Sequence, residues 1–88
     1  MQEKKVNEGY KGLSAYKLGL VIQELTEEFT ARWIDSYRRR YQMDEAARSN
    51  PQCVAEGFIQ PSLKGYIKLS GIARGSNEEL MNDYVHFL

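Results

Sequence analysis

Residues 36–58 read SYRRRYQMDEAARSNPQCVAEGF, and the reading of this stretch decides the fold class. Asp35 and Ser36 are N-cap types, whose side-chain oxygens accept from the free amides of a helix start. A helix is expected from about Ser36 to Phe58, with Tyr37, Tyr41, Ala47, Val54 and Phe58 on its inward side. Pro51 lies inside it. Proline removes one backbone donor and crowds the carbonyl four residues back, here Ala47, so a bend is expected. The alternative is two shorter helices broken near Asn50-Pro51, because the residue before proline disfavours the α region.

Upstream, a helix is expected from about Leu13 to the low thirties. Leu18, Val21, Ile22, Leu25 and Phe29 follow the i, i+3, i+4, i+7 spacing of one helical face. Tyr16 and Leu20 widen that stripe, while Gln23, Glu24, Glu27 and Glu28 take the other side. Downstream, Gln60-Pro61-Ser62 is the clearest punctuation. Ser62 is placed to cap a third helix reaching about Phe87, with Tyr66, Leu69, Ala73, Leu80, Tyr84 and Phe87 facing inward. Gly65, Gly71 and Gly75 each cost a helix about 1 kcal/mol relative to Ala. Gly71 and Gly75 flank Ala73, which predicts a neighbouring backbone at close approach. Residues 1–9 read as a flexible tail and 10–88 as one all-α domain, an antiparallel up-down bundle.

Charge order sets an expected register. If the last two helices fold back about residue 60, residue i lies level with residue 120 − i. Arg38, Arg39 and Arg40 then fall beside Glu79 and Asp83, Asp44 and Glu45 beside Arg74, and Glu56 level with Lys64. Ala47 meets Ala73. Exposed ion pairs are worth only about 0–1 kcal/mol each, so their use would be to disfavour wrong registers. The third helix is basic at its start and acidic at its end, against the helix dipole, which calls for a compensating neighbour.

Composition narrows function mainly by exclusion. The 88 residues carry 12 Lys+Arg and 12 Asp+Glu, so no net field draws in a polyanion. One Cys and one His provide neither an internal disulfide nor a metal set. No apolar run approaches the roughly 18 residues of a membrane span, and no signal peptide is read at the start. No Ser-His-Asp set, phosphate-cradling glycine loop or HExxH motif is present. Cys53, His86 and the single carboxylates Asp44 and Glu56 lack a partnering base or acid. The chain reads as a non-enzyme without a cofactor.

One basic run carries aromatics, Tyr37-Arg38-Arg39-Arg40-Tyr41. Arginine to phosphate and tyrosine to base is a nucleic-acid pattern. Successive helical residues turn 100°, however, so the three arginines cannot share a face, and a solvated face is the simpler account. Asp35–Arg39, Glu28–Arg32 and Asp44–Arg48 add i, i+4 pairs with the acid first. Lys64 and Lys68, with Arg74, form a second candidate phosphate site, again against the simpler account of a solvated face.

Gln42, Ala46, Ser49, Pro51, Ala55, Glu56 and Gly57 stand in a pattern similar to Q-[LI]-R-R-A followed by S-x-P-x-N-I-A-E-G. That pattern resembles the four-helix-bundle family of proteins encoded by 23S rRNA intervening sequences. Tyr10-Lys11-Gly12-Leu13 with Tyr16 looks like the start of that family's first helix. Ala46-Ala47-Arg48-Ser49 and Glu78-Glu79-Leu80 through Leu88 resemble its four helix bundle suffix branch. Three features depart. Asp44 and Glu45 replace paired arginines, Cys53 replaces an asparagine, and three helices are present rather than four, so that either the chain is a fragment or a partner supplies the missing packing. The resemblance implies a cytoplasmic bacterial or phage-associated protein that forms homo-oligomeric rings, often pentamers. Some relatives are retroelement accessory factors that bind nucleic acid and a reverse transcriptase. Three functions follow as expectations: a self-associating scaffold, an RNA- or DNA-binding accessory protein using Arg38, Arg39, Arg40, Lys64 and Lys68, and an antitoxin-like regulatory partner.

Overall fold

The computed structural model describes residues 9–88. They form a 3-10 turn, Gly9–Gly12, and three helices: α1 Ser14–Trp33, α2 Tyr37–Phe58 and α3 Leu63–Phe87. Among the described residues there is no strand. The expected tail lies outside the described residues apart from Gly9, which opens the turn.

Local chemistry sets the helix starts. Ser36 accepts from the Arg39 amide at 3.2 Å, and Ser62 accepts from the Gly65 amide at 3.1 Å. Each hydroxyl satisfies one of the free donors that every helix N-terminus carries. α1 has no side-chain cap, and its preceding residue Leu13 donates to the Tyr10 carbonyl of the 3-10 turn at 3.1 Å. α2 is continuous through Pro51, so the chain does not break at Asn50-Pro51.

α2 is the central helix, packing on α1 along one side and α3 along the other. Thr30 of α1 meets Asp44, and Gly19 meets Asn50 and Pro51. On the other side Gly57 meets Leu69, Asn50 meets Ala73, and Ser49 meets Ser76. In both pairs, later residues of one helix meet earlier residues of the next. α1 and α3 therefore run the same way, and they meet at one end. There the Thr26 and Tyr84 hydroxyls are 2.8 Å apart, and the Phe29 ring centroid is 5.0 Å from those of Tyr84 and Phe87. The buried apolar cluster lies near that end: Ile34, Met43, Ala46, Ala47 and Leu80, with Phe29 and Tyr84 packed on it.

Several expected faces are corrected. Most of the α1 stripe does not face the core: Leu18, Val21 and Leu25 are 61%, 52% and 59% exposed, and of the stripe's five residues Phe29 alone packs on the buried cluster. The buried residues of α1 are Gly19, Thr26 and Thr30. α1 comes so close to α2 at Gly19 that a Cβ there would lie 2.8 Å from Asn50 Oδ1 and 3.1 Å from Pro51 Cβ. Farther along, the Thr30 hydroxyl bonds to Asp44 of α2 and the Thr26 hydroxyl to Tyr84 of α3, so small and polar residues occupy this face. On α2, Tyr37 and Tyr41 are 77% and 58% exposed, and Met43, Ala46, Ala47, Asn50, Pro51, Cys53 and Gly57 are buried instead. Tyr66 and Phe87 of α3 are likewise exposed.

Gly71 and Gly75 make no close approach, since a Cβ at either would meet nothing within 4 Å. α2 and α3 also touch at Gly57, where a Cβ would stand 3.4 Å from Leu69 Cβ, an ordinary van der Waals distance. Ala47 and Ala73 are both buried.

The register is displaced by about one helical turn. Asn50, Ser49 and Gly57 meet Ala73, Ser76 and Leu69, three to six residues beyond the level that the charges indicate. Buried hydrogen bonds set it. The Asn50 amide donates to the Ala73 carbonyl at 2.8 Å, and the Ser76 hydroxyl donates to Ser49 Oγ at 3.0 Å. Breaking such bonds exposes the full desolvation penalty, whereas exposed ion pairs are weak. Among the described residues the ion pair formed is Arg48–Glu45 at 2.9 Å. No interhelical rung joins the arginine run to Glu79 and Asp83, or Asp44 and Glu45 to Arg74. Asp44 accepts from Thr30 Oγ1 at 2.8 Å rather than pairing with Arg48.

Candidate functional site

The surfaces that remain after folding follow from how α1 is divided. Its Gly19–Thr26–Thr30 face is taken by α2 and, at Thr26, by Tyr84 of α3. The neighbouring aliphatic face, centred on Leu18, Val21, Ile22 and Leu25, is left uncovered. α3 leaves Leu63, Ile67, Met81 and Val85 uncovered as well. Because α1 and α3 converge only at the Phe29–Tyr84 end, a groove opens between them. One part, of about 440 Å³, is lined by Ile22, Leu80, Met81, Tyr84, Val85 and Leu88. Another, of about 430 Å³, is lined by Leu13, Ala15, Val54, Phe58, Tyr66 and Ala73. Arg74 and Glu78 edge the first part.

The outward side of α2 has a different chemistry. Tyr37 and Tyr41 stack, with ring centroids 6.5 Å apart and planes 24° apart. Arg38 and Arg39 are exposed. Arg40 is turned inward and donates from Nη2 to the Ile34 carbonyl at 2.9 Å, where it ties off the α1–α2 connection. It is thus withdrawn from any phosphate site. Arg38 shares a cleft with Tyr41, Gln42, Glu45, Ser76 and Glu79, so two carboxylates stand in the same cleft.

The structure does not bring the expected basic residues together. Arg38 and Arg39 lie at the start of α2, whereas Lys64 and Lys68 lie by its far end in the first turns of α3. At a rise of 1.5 Å per residue, these groups are about 30 Å apart. Arg74 stands on the groove instead.

The Arg48 guanidinium donates to Glu45 from Nη2 at 2.9 Å and from Nε at 3.3 Å. These hydrogen bonds, reinforced by the opposite charge, hold the Glu45 carboxyl below the usual glutamate range. The same pair raises Arg48.

The other signature positions divide between packing and surface. Ala46, Pro51 and Gly57 are buried, and Ser49 is half-buried against Ser76. Ala55 is half-buried, Gln42 is exposed, and exposed Glu56 accepts from Gln52 at 3.2 Å. Cys53 is buried, with Sγ 3.8 Å from Ser49 Oγ. His86 is exposed. Among the described residues no group of three His, Cys, Asp or Glu side chains converges as a metal site, and no helix is long and apolar enough to cross a membrane.

Sequence reasoning missed the polar inner face of α1. Its signal is present: Gly19, Thr26 and Thr30 fall seven and four apart, on one side of a helix. The chain was compared with protein-family models, with curated proteins and with solved structures, and none of them matches.

Proposed function

We propose that this chain is a non-enzymatic helical assembly module that associates with further copies of itself. The observation that carries the reading is the uncovered aliphatic stripe of α1. Leu18, Val21 and Leu25 are more than half exposed on a regular helix, while the same helix buries a different face internally. A contiguous exposed apolar surface on a small domain marks an interaction site. A chain of this size also has too small a core to be comfortably stable alone, which association would offset.

The arrangement is that of an up-down bundle with one corner open. α2 neighbours both other helices, and α1 and α3 stand across from each other with the groove between them. The residues on which the likeness to the intervening-sequence four-helix-bundle family rests include three that are buried in α2. Ala46, Pro51 and Gly57 are small or rigid groups at helix contacts, so their pattern is explained by packing without any chemistry. Sedimentation or light scattering at micromolar concentration tests the reading. A mass of two or more chains is expected, and a mass near 10.2 kDa refutes it.

A second reading, nucleic-acid binding, has one favourable observation: the exposed Tyr37–Tyr41 stack with Arg38 between the two positions, on a face that assembly through the groove leaves free. Aromatic faces stack on unpaired bases, and arginine contacts phosphate. Filter binding of a single-stranded oligonucleotide at low salt tests it. Affinity that falls with salt and is lost in Tyr41→Ala supports it, and absence of binding removes it.

A further inference from the structure

We infer that the α1 stripe is a self-recognition seam, in which the α1 of a second copy lies antiparallel against it and crosses near Val21 and Ile22. The inference rests on the self-association reading and adds to it the surface, the direction and the register. Three independent features of α1 point the same way.

The first is the centring of the apolar residues. Leu18, Val21, Ile22 and Leu25 are disposed evenly about the point between Val21 and Ile22. Antiparallel pairing about that point sets Leu18 level with the partner's Leu25, and Val21 level with the partner's Ile22. Each aliphatic side chain then meets another. α1 is 20 residues long, about 30 Å, enough for several turns to engage on either side of the crossing.

The second is charge. At 100° per residue, Lys17, Glu24 and Glu28 fall on one edge of the stripe, with the cation in the first half of the helix and the acids in the second. In the antiparallel arrangement Lys17 lies between the partner's Glu24 and the partner's Glu28, about 3 Å along the axis from each level. The two-fold symmetry repeats the match at the other end. In a parallel two-fold arrangement the same edge of the two helices lies on opposite sides of the seam, so Lys17 gains no glutamate opposite it. Edge charges of this kind set orientation in paired helices.

The third is direction within the fold. α1 and α3 run the same way. An α1 from a second copy that is antiparallel to one is antiparallel to both groove walls, the relation that α2 already has to each. Ile22 reaches from the seam to the groove beside Met81 and Val85, so the incoming helix has apolar surface on both sides. The division of α1 is accounted for too: Gly19 and Thr30 serve α2, Thr26 serves Tyr84 of α3, and the aliphatic face serves the second copy.

The test uses the full chain and reads both mass and dissociation constant by sedimentation. Lys17→Glu alone, and Glu24→Lys with Glu28→Lys, each set like charges against one another and are expected to weaken association by about 10-fold. All three changes together restore opposite charge and are expected to return the constant to within about 3-fold of the original. Val21→Lys is expected to give a monomer. Its far-UV circular dichroism stays helical, because Val21 lies outside the core. An assembly indifferent to Val21→Lys and to all the charge changes overturns the seam while leaving self-association standing. A chain that stays monomeric at about 100 μM overturns both, whether or not some other helical protein binds the stripe.

Discussion

The side-chain amide of Asn50 donates to the main-chain carbonyl of Ala73 at 2.8 Å, buried between α2 and α3. The bond reaches from the middle of one helix to the backbone of the other, and so measures their register directly. Asn50 Oδ1 is also the atom nearest to a Cβ built on Gly19, which places the same side chain at the meeting of α1, α2 and α3. Asn50→Ala removes the donor and leaves a void among three helices. Loss of one buried hydrogen bond together with local packing is expected to cost about 2 kcal/mol. Urea unfolding checks it, and a change under about 0.5 kcal/mol would show that the register is held by something else.

Thr26 and Tyr84 form the polar link between α1 and α3. Their hydroxyls are 2.8 Å apart, and Thr26 is fully buried. Thr26→Val keeps the shape and strands the Tyr84 hydroxyl, while Tyr84→Phe strands the threonine. Each is expected to cost about 1–2 kcal/mol, and the double variant about the same as either single one, since the bond is lost only once. A double-mutant cycle by chemical denaturation reads this coupling. Strict additivity would mean that the two hydroxyls do not depend on each other.

What can be read in advance follows from how local each feature is. The starts of α2 and α3 are local: Ser36 and Ser62 bond amides three residues away, and no distant residue alters that. The passage of α2 through Pro51 is one of two readings that the sequence leaves open. It is decided by tertiary packing, because the buried ring seats against Gly19. The face that α1 turns inward is not legible in the same way. The aliphatic spacing of Leu18, Val21, Ile22 and Leu25 marks a surface that favours burial, but periodicity does not say against what. Within one chain the close approach at Gly19 and the threonine hydrogen bonds decide the matter, and the stripe stays outside. The arginine run does not act as a unit for a related reason: Arg40 finds the Ile34 carbonyl, a partner visible only once the α1–α2 connection is folded.

Glu45 gives a pH prediction with a definite sign. Hydrogen bonding to Arg48 holds its carboxyl below the usual glutamate value in the folded chain. The folded state therefore binds that proton less readily than the unfolded state. The stabilisation is fully present above about pH 5, where an unpaired glutamate is ionised, and is lost as pH falls through the depressed folded value. Because the pair is exposed, the increment is small. Glu45→Gln is expected to narrow the difference from the parent steadily on acidification, with no difference in slope above neutrality. Nuclear magnetic resonance titration of the Glu45 carboxyl should place its midpoint below the usual glutamate value. A midpoint at or above the usual glutamate value would rule out the pairing in solution.

Glycines on two helices are expected to respond with opposite signs to the same substitution. Alanine is favoured over glycine inside a helix by about 0.5–1 kcal/mol, so open positions gain from the change. Gly71 and Gly75 are open, with nothing within 4 Å of the place an alanine methyl would take. Gly71→Ala and Gly75→Ala should each stabilise by roughly that amount. Gly19 is also in mid-helix and has the same intrinsic preference for alanine. Its new methyl would meet Asn50 Oδ1 at 2.8 Å, Pro51 Cβ at 3.1 Å and Pro51 Cα at 3.4 Å. The asparagine is tethered to Ala73, and the proline is part of a helix backbone, so neither yields freely. Overpacking of this kind costs about 1–3 kcal/mol, which exceeds the helical gain. Gly19→Ala should therefore destabilise, and Gly19→Val more strongly. Thermal unfolding of the three alanine variants side by side decides it, and stabilisation at Gly19 equal to that at Gly71 would place α1 farther from α2 than the structure has it.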